Sequence, residues 1–313
     1  MNEHIASKQA ICEKLIEKGK KDKDIVVLTS DSRGSASMAP FADTLPDQLV
    51  EIGIAEQDMV GQAAGLAAAG KKAFIASYAA FLSMRSIEQI KVDVAYSEVP
   101  VSVIGISGGV SYGPLGMSHH AVQDIAAIRG IPNIELIMPA SPRESEVMVE
   151  KLIDYNKPVY VRVERNPIPE IYHSENVSFK IGKAKTLKKG DDLTIIACGR
   201  MVNTALQTAE KLAQKKIDCR VINNHTLKPL DDDTIIKAAV ETEAIITLEE
   251  HSIYGGLGSA VSEVVVQNNP APVKVMGLPD EPIVAGKPAE IFKHYGLDTA
   301  GVAQTAERLL DNM

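Results

Sequence analysis

Short apolar runs alternate with helix-patterned stretches along most of the chain, and this alternation limits the possible folds more than any other feature. Ile25–Leu28, Leu49–Ile52, Ala73–Ala76, Val101–Ile106, Ile134–Met138 and Val159–Val163 read as strands. Helical spacing covers Ser7–Lys18, the segment after Glu56, Met84–Tyr96 and Pro142–Tyr155. The last of these opens Ser141-Pro142-Arg143-Glu144, with a capping residue and a proline in the first turn. Strands separated by helices pair through crossovers, which predicts a mostly parallel sheet covered on both faces.

From Arg165 to Asp192 the pattern lapses and turn formers gather (Asn166, Pro167, Pro169, Gly182, Gly190), the composition of a connection between domains. Alternation then restarts with strands Leu193–Cys198, Cys219–Asn223, Ala244–Leu248 and Val273–Leu278. Helices Val202–Lys215, Asp232–Val240 and Leu257–Val266 lie between them. The expected architecture is therefore two doubly wound α/β domains, residues 1–168 and 192–313, joined by a linker over 169–191. A length of 313 residues with 45% hydrophobic side chains can bury two such cores.

A formal net charge of −8 argues against nucleic acid or an anionic membrane surface as partner, since both reward clustered Lys and Arg. Cys12, Cys198 and Cys219 have neither metal-ligand nor redox spacing and read as buried thiols of a reducing compartment. No apolar run approaches the roughly 18 residues of a membrane span. The N-terminal residues lack the apolar core of a signal peptide, so a cytoplasmic location is expected.

The run Val50-Glu51-Ile52-Gly53-Ile54-Ala55-Glu56-Gln57-Asp58-Met59-Val60-Gly61 delivers one carboxylate, Glu56, from a strand end to the start of a helix. Such a residue can simply offset the positive end of the helix dipole, an effect of a few tenths to about 1 kcal/mol. The helix that follows is rich in Gly and Ala, however, which lets another backbone come close as at a subunit interface. A carboxylate there is partly desolvated and gains from a hydrogen-bond partner. Tyr78, Phe81 and Met84 follow at three-residue steps; on a helix this spacing usually marks a core stripe, but only 4% of the chain is aromatic.

The stretch Ile106 to His120 follows an apolar strand and contains Gly108, Gly109, Gly113 and Gly116, so it runs irregularly at the carboxyl end of the sheet, where open α/β folds bind ligands. It carries His119 and His120, side chains suited to proton exchange near neutral pH. Arg165 ends another strand, where its planar fork can hold an anion or pair with Glu164 or Glu170. Asp31 follows the first strand and can serve as a turn residue.

Together these motifs resemble the thiamine diphosphate enzymes of the transketolase group, and Leu248-Glu249-Glu250-His251-Ser252-Ile253-Tyr254-Gly255-Gly256-Leu257-Gly258-Ser259 resembles the C-terminal domain of that group. The resemblance implies that Glu56 bonds a ring nitrogen of the cofactor's pyrimidine. Tyr78 and Phe81 would pack around that ring, Met84 would replace an often aromatic residue through its thioether, and Asp31 would border the thiazolium. Gly116-Met117-Ser118-His119-His120 resembles the family's Gly-x-Thr-His-Gln pattern, which implies that His119 is the histidine that touches the substrate carbonyl or the covalent intermediate; Arg165 matches a phosphate-binding arginine. His225 and His251 are expected to be structural or interfacial. Two departures concern the substrate. Leu115 stands where typical transketolases carry an aspartate that contacts a donor hydroxyl, and Ser107 where they carry a histidine near the acceptor phosphate. A buried donor hydroxyl left unpaired beside Leu115 would cost about 1 to 3 kcal/mol.

The Gly-Asp-Gly motif and following Asn that anchor the diphosphate and Mg2+ in this family are missing; Gly190-Asp191-Asp192 lies in the connection. The resemblance is thus to the C-terminal subunit of a split-gene transketolase, with cofactor tail and metal held by a separate N-terminal subunit in a two-fold heterotetramer. The implied reaction moves a two-carbon ketol unit from a ketose, expected to be phosphorylated, to an aldose. A deoxyxylulose phosphate synthase-like enzyme or a 2-oxoacid dehydrogenase first-component beta subunit shares these features. A non-catalytic stabilising subunit is the reading of another class.

Overall fold

The computed structural model describes residues 5–172 and 177–313. Its strands in chain order are β1 Ile25–Thr29, β2 Leu49–Glu51, β3 Lys72–Tyr78, β4 Val101–Ile106, β5 Glu135–Ile137, β6 Val159–Val163, β7 Lys185–Lys188, β8 Leu193–Ala197, β9 Cys219–Asn223, β10 Thr226–Lys228, β11 Ala244–Ser252 and β12 Val273–Leu278. Seven form one sheet, ordered β10-β5-β6-β4-β3-β1-β2, and five form a second, ordered β12-β11-β8-β9-β7. All pairs are parallel except β10 with β5 and β7 with β9. The protein is α/β with two sheets, as the alternation requires.

Alternate residues of the central strands face opposite layers, the expected result of a period of two. Val26, Leu28, Ala73, Ile75, Val101 and Val103 pack with the Glu56–Ala68 helix. Ile25, Val27, Phe74, Ala76, Ile104 and Ile106 pack with the helices Ser7–Gly19 and Pro142–Leu152. The first of these cores continues into the second sheet through Ile196, Ile222 and Ile245, so the two halves share apolar interior.

Three local outcomes differ from the sequence pattern. Lys185–Lys188, inside the stretch read as a connection, forms an edge strand, and Thr226–Lys228 crosses over to extend the first sheet. Neither run is apolar enough to announce itself. The helix expected over Met84–Tyr96 starts earlier, at Ala79, breaks at Ser86 and continues as π-helix over Ile90–Tyr96. Ser83 and Ser86 donate their hydroxyls to the carbonyls of Ala79 and Leu82, the local competition that bends helices.

His251 and His225 both sit where the halves meet. His251 Nε2 accepts from Ala126 N at 3.3 Å, so the ring proton lies on Nδ1, 2.7 Å from Ser252 O. His225 is stacked on Phe179, and burial lowers its pKa. The strongest tie is Arg162, a wholly buried guanidinium on β6. Its Nε lies 3.1 Å from Asp124 Oδ2, close enough for an ion pair though not aligned as a hydrogen bond. Its Nη2 donates to Ala121 O at 3.1 Å and to Glu250 O at 2.8 Å. Arg162→Met would strand the buried carboxylate of Asp124 and is expected to cost about 3 to 5 kcal/mol. Thermal unfolding of the full chain measures this; an unchanged midpoint would contradict the account.

Candidate active site

The sequence-expected residues come from the carboxyl ends of adjacent parallel strands: Asp31 after β1, Glu56 after β2, Tyr78 at the end of β3, Ser107 and His119 after β4, Arg165 after β6. Open α/β sheets place ligands at this edge because helix N-termini and irregular loops converge there.

Glu56 opens its helix, whose first turn has no side-chain cap, and is only 5% exposed. Both of its oxygens accept from Arg85 Nη1, at 3.0 and 3.2 Å. Arg85 in turn lies over the ring of Phe81, 4.0 Å from its centroid. Phe81 meets Tyr78 at 5.7 Å and His119 at 5.1 Å, and Tyr112 closes the group at 5.4 Å from Tyr78 and 5.8 Å from His119. Edge-to-face rings at these separations attract through their quadrupoles beyond simple area burial. The four rings are half-buried. His119 Nδ1 is 2.9 Å from Ser118 Oγ.

Arg165 lies over the Tyr112 ring at 4.2 Å and, among the described residues, forms no ion pair with Glu164 or Glu170. Those acids are engaged elsewhere: Glu164 accepts from Ser111 Oγ, Glu170 from the amides of Arg143 and Tyr172. Lys8 shares the neighbourhood. Its Nζ donates to Ser35 O at 2.6 Å, while Ser35 Oγ accepts from Tyr78 OH, which itself accepts from Tyr112 OH at 3.2 Å. Burial and then the Arg165 charge lower the Lys8 pKa. Two neighbouring cations, Lys8 and Arg165, offer an anion a basin of charge-assisted donors.

The other expected residues have surroundings of their own. Asp31 has a left-handed backbone (φ 51°), with its amide donating to Glu51 Oε1 at 2.6 Å. It lines a polar cavity of about 350 Å³ with Arg33, Asp43 and Glu51. Met84 is 45% and Leu115 51% exposed. Ser107 is buried, also with positive φ, and its hydroxyl has no partner among the described residues. His120 turns inward, 3.3 Å from Gly113 O through Nε2, and burial lowers its pKa and keeps the ring neutral. Lys8, Arg85 and Tyr112 carry no motif of their own; they reach the site only through the packing of the Ser7–Gly19 helix, the Ala79–Arg85 helix and the glycine loop.

A buried carboxylate beside half-buried aromatic rings suits a flat heterocycle with a ring nitrogen, such as the pyrimidine of thiamine diphosphate. Among the described residues no group of three or more His, Cys, Asp or Glu side chains is arranged to hold a metal ion. No described helix is long and apolar enough to cross a membrane.

Two α/β domains bring a carboxylate, aromatic rings and a histidine to one sheet edge, and comparison with known proteins gives the family. The transketolase pyrimidine-binding domain matches residues 3–170 and the transketolase C-terminal domain residues 182–302. The chain belongs to the transketolase family. It is 48% identical over 305 residues to an apulose-4-phosphate transketolase subunit of Phocaeicola vulgatus, covering 97% of each chain. It is 36% identical to the 1-deoxy-D-xylulose-5-phosphate synthase of Desulforudis audaxviator over 94% of this chain but 46% of that protein. Among solved structures, a split-gene transketolase described as an inactive beta4 tetramer superposes with a TM-score of 0.90 at 34% identity, covering 98% of this chain and 99% of that one.

The paired cations give a prediction that requires no partner. The full chain should bind inorganic phosphate weakly, and Lys8→Met or Arg165→Met should each weaken it about tenfold, the factor for about 1.4 kcal/mol of lost charge-assisted contact. Calorimetric titration measures it; equal binding by both variants would remove this anion basin.

Proposed function

We propose that this chain is the C-terminal subunit of a thiamine diphosphate-dependent transketolase that moves a two-carbon ketol unit from a phosphorylated ketose to an aldose, and that it acts with a separate N-terminal subunit. The carrying observation is the continuous line from Glu56 through Arg85 and Phe81 to His119 at one sheet edge. When bound, the cofactor supplies a stabilised carbanion for cleaving and forming a carbon–carbon bond beside a carbonyl. Glu56 would hold the pyrimidine nitrogen, Tyr78, Phe81 and Met84 would seat the ring, and Asp31 would border the thiazolium. His119, with Ser118 Oγ on its Nδ1, keeps Nε2 for proton exchange with the substrate oxygen. Arg165 and Lys8 take the substrate phosphate; Ser107 and Leu115 border the sugar.

Mg2+ and the diphosphate belong, in this reading, to the N-terminal subunit, and the assembly is a two-fold heterotetramer. The relative from Phocaeicola vulgatus makes apulose 4-phosphate the first donor to assay. The likeness to a deoxyxylulose phosphate synthase supports a second reading, in which pyruvate is the donor. Turnover of pyruvate without turnover of any ketose phosphate would select it.

In the reconstituted enzyme Glu56→Gln should lower kcat by about 100-fold or more, and His119→Asn by about 100-fold, the range for a positioned proton-transfer group. Steady-state rates decide. An unchanged rate with Glu56→Gln would leave the non-catalytic, stabilising role. Arg165→Met should raise KM for phosphorylated sugars while leaving kcat for unphosphorylated ones.

A further inference from the structure

The loop that carries His119 is closed at its neck by an antiparallel pair: Gly109 N donates to Ala121 O at 3.0 Å and Ala121 N to Gly109 O at 2.9 Å. Much of what grips this neck comes from the second domain. Val110 N donates to Glu250 Oε1 at 2.8 Å, and Arg162 joins Ala121 O to Glu250 O through one nitrogen. The next residue, Ser111, donates its hydroxyl to Glu164 Oε2 at 3.1 Å, so consecutive loop residues address two buried carboxyl groups. Gly286 N, also from the second domain, donates to Gly113 O at 3.2 Å. Gly109 has φ +60°, and a Cβ there would fall 2.2 Å from Glu250 Cδ. The loop backbone therefore rests directly on that carboxyl.

Glu250 is 1% exposed and its Oε2 has no hydrogen-bond partner among the described residues. Facing it are Arg162 from β6, Glu164 just after that strand, Arg200 after β8 and the Val110 amide. Its neighbour on β11, Glu249, is turned to the amides of Leu257 and Gly258. Burial, then Glu164, push the Glu250 carboxyl up to about 8, outweighing the two arginines and the amide. At neutral pH it is mostly the neutral acid, which still offers an oxygen to Val110 N without a second negative charge beside Glu164.

We propose that Glu250 of the C-terminal domain is a positioning residue for His119, fixing the neck of the 109–121 loop and thereby the imidazole against Phe81 and Tyr112. The proposal rests on the reading of His119 as a substrate-contacting group, and the test below reads loop geometry separately from turnover.

The full chain is compared with Glu250→Asp, which withdraws the acceptor, Glu250→Gln, which keeps a neutral acceptor of the same length, and Glu249→Gln as a control in the same strand. Hydrogen exchange over 109–121 and the His119 imidazole resonance, assigned by its loss in His119→Asn, are the readouts. Glu250→Asp should speed exchange at Val110 about tenfold, the factor of one ordinary hydrogen bond, and shift the His119 resonance. Glu250→Gln and Glu249→Gln should leave both near wild type at pH 7. A wild-type His119 signal in folded Glu250→Asp, or an equal shift in Glu249→Gln, overturns the proposal.

A pH series decides even if the aspartate variant does not fold. An acid whose folded pKa lies above its unfolded value stabilises the fold below the unfolded value, and that contribution is lost as pH rises towards the folded one, here from about 4.3 to about 8. Relative to Glu250→Gln, wild type should therefore lose stability across this window and loosen its loop towards pH 8. A His119 resonance and 109–121 exchange that stay unchanged while wild type loses stability relative to Glu250→Gln overturn the proposal. A moved His119 signal in Glu250→Asp together with full turnover by reconstituted His119→Asn would instead sink the catalytic reading of His119 and leave the coupling standing.

Discussion

One buried guanidinium organises the molecule. The Arg162 side chain has no exposed surface, and it can persist there only because Asp124 balances its charge and two carbonyls, of Ala121 and Glu250, accept hydrogen bonds from one of its nitrogens. Those four residues belong to a strand of the first sheet, the helix beyond the glycine loop, the neck of that loop and a strand of the second sheet. A Cβ on Gly108 would lie 2.4 Å from Arg162 Nε, so the loop has to begin with glycine at that point. The packing of both domains is thereby set against the segment that carries His119.

Glu56 is buried and ion-paired, yet the rings beyond it are only half-buried, and Ile54, two residues before it, stands 73% exposed. A buried charge beside half-buried aromatics gains when a second surface covers them, because excluding water strengthens both the ring contacts and the electrostatics. Arg85 serves in the meantime as the partner that a buried carboxylate requires.

Much of the site was legible because its chemistry lies in contiguous runs. Gly53-Ile54-Ala55-Glu56-Gln57 specifies a carboxylate at a helix start, and four glycines before His119 specify an irregular loop at the end of a strand. Tyr78, Phe81 and His119 do meet in the fold, although Tyr78 ends β3 and only Phe81 lies on the following helix. The groups that escaped notice are those placed by packing alone. Lys8 sits on a polar helix face like any other lysine, Tyr112 is one more loop residue, and Arg85 has nothing local to distinguish it from a solvated charge.

The sequence by itself determined the strand and helix alternation, the two α/β halves, the placing of Glu56 at a helix start and that of His119 in a glycine-rich loop, since each follows from local periodicity, turn chemistry or a short motif. The tertiary structure alone decided that β10 leaves its own domain to extend the first sheet, that Arg85 neutralises Glu56, that Arg165 turns to Tyr112 rather than to neighbouring glutamates, and that Glu250 underlies the His119 loop. Those pairings join residues far apart in the chain, and their strength depends on burial and distance, quantities that exist only once the chain has closed on itself.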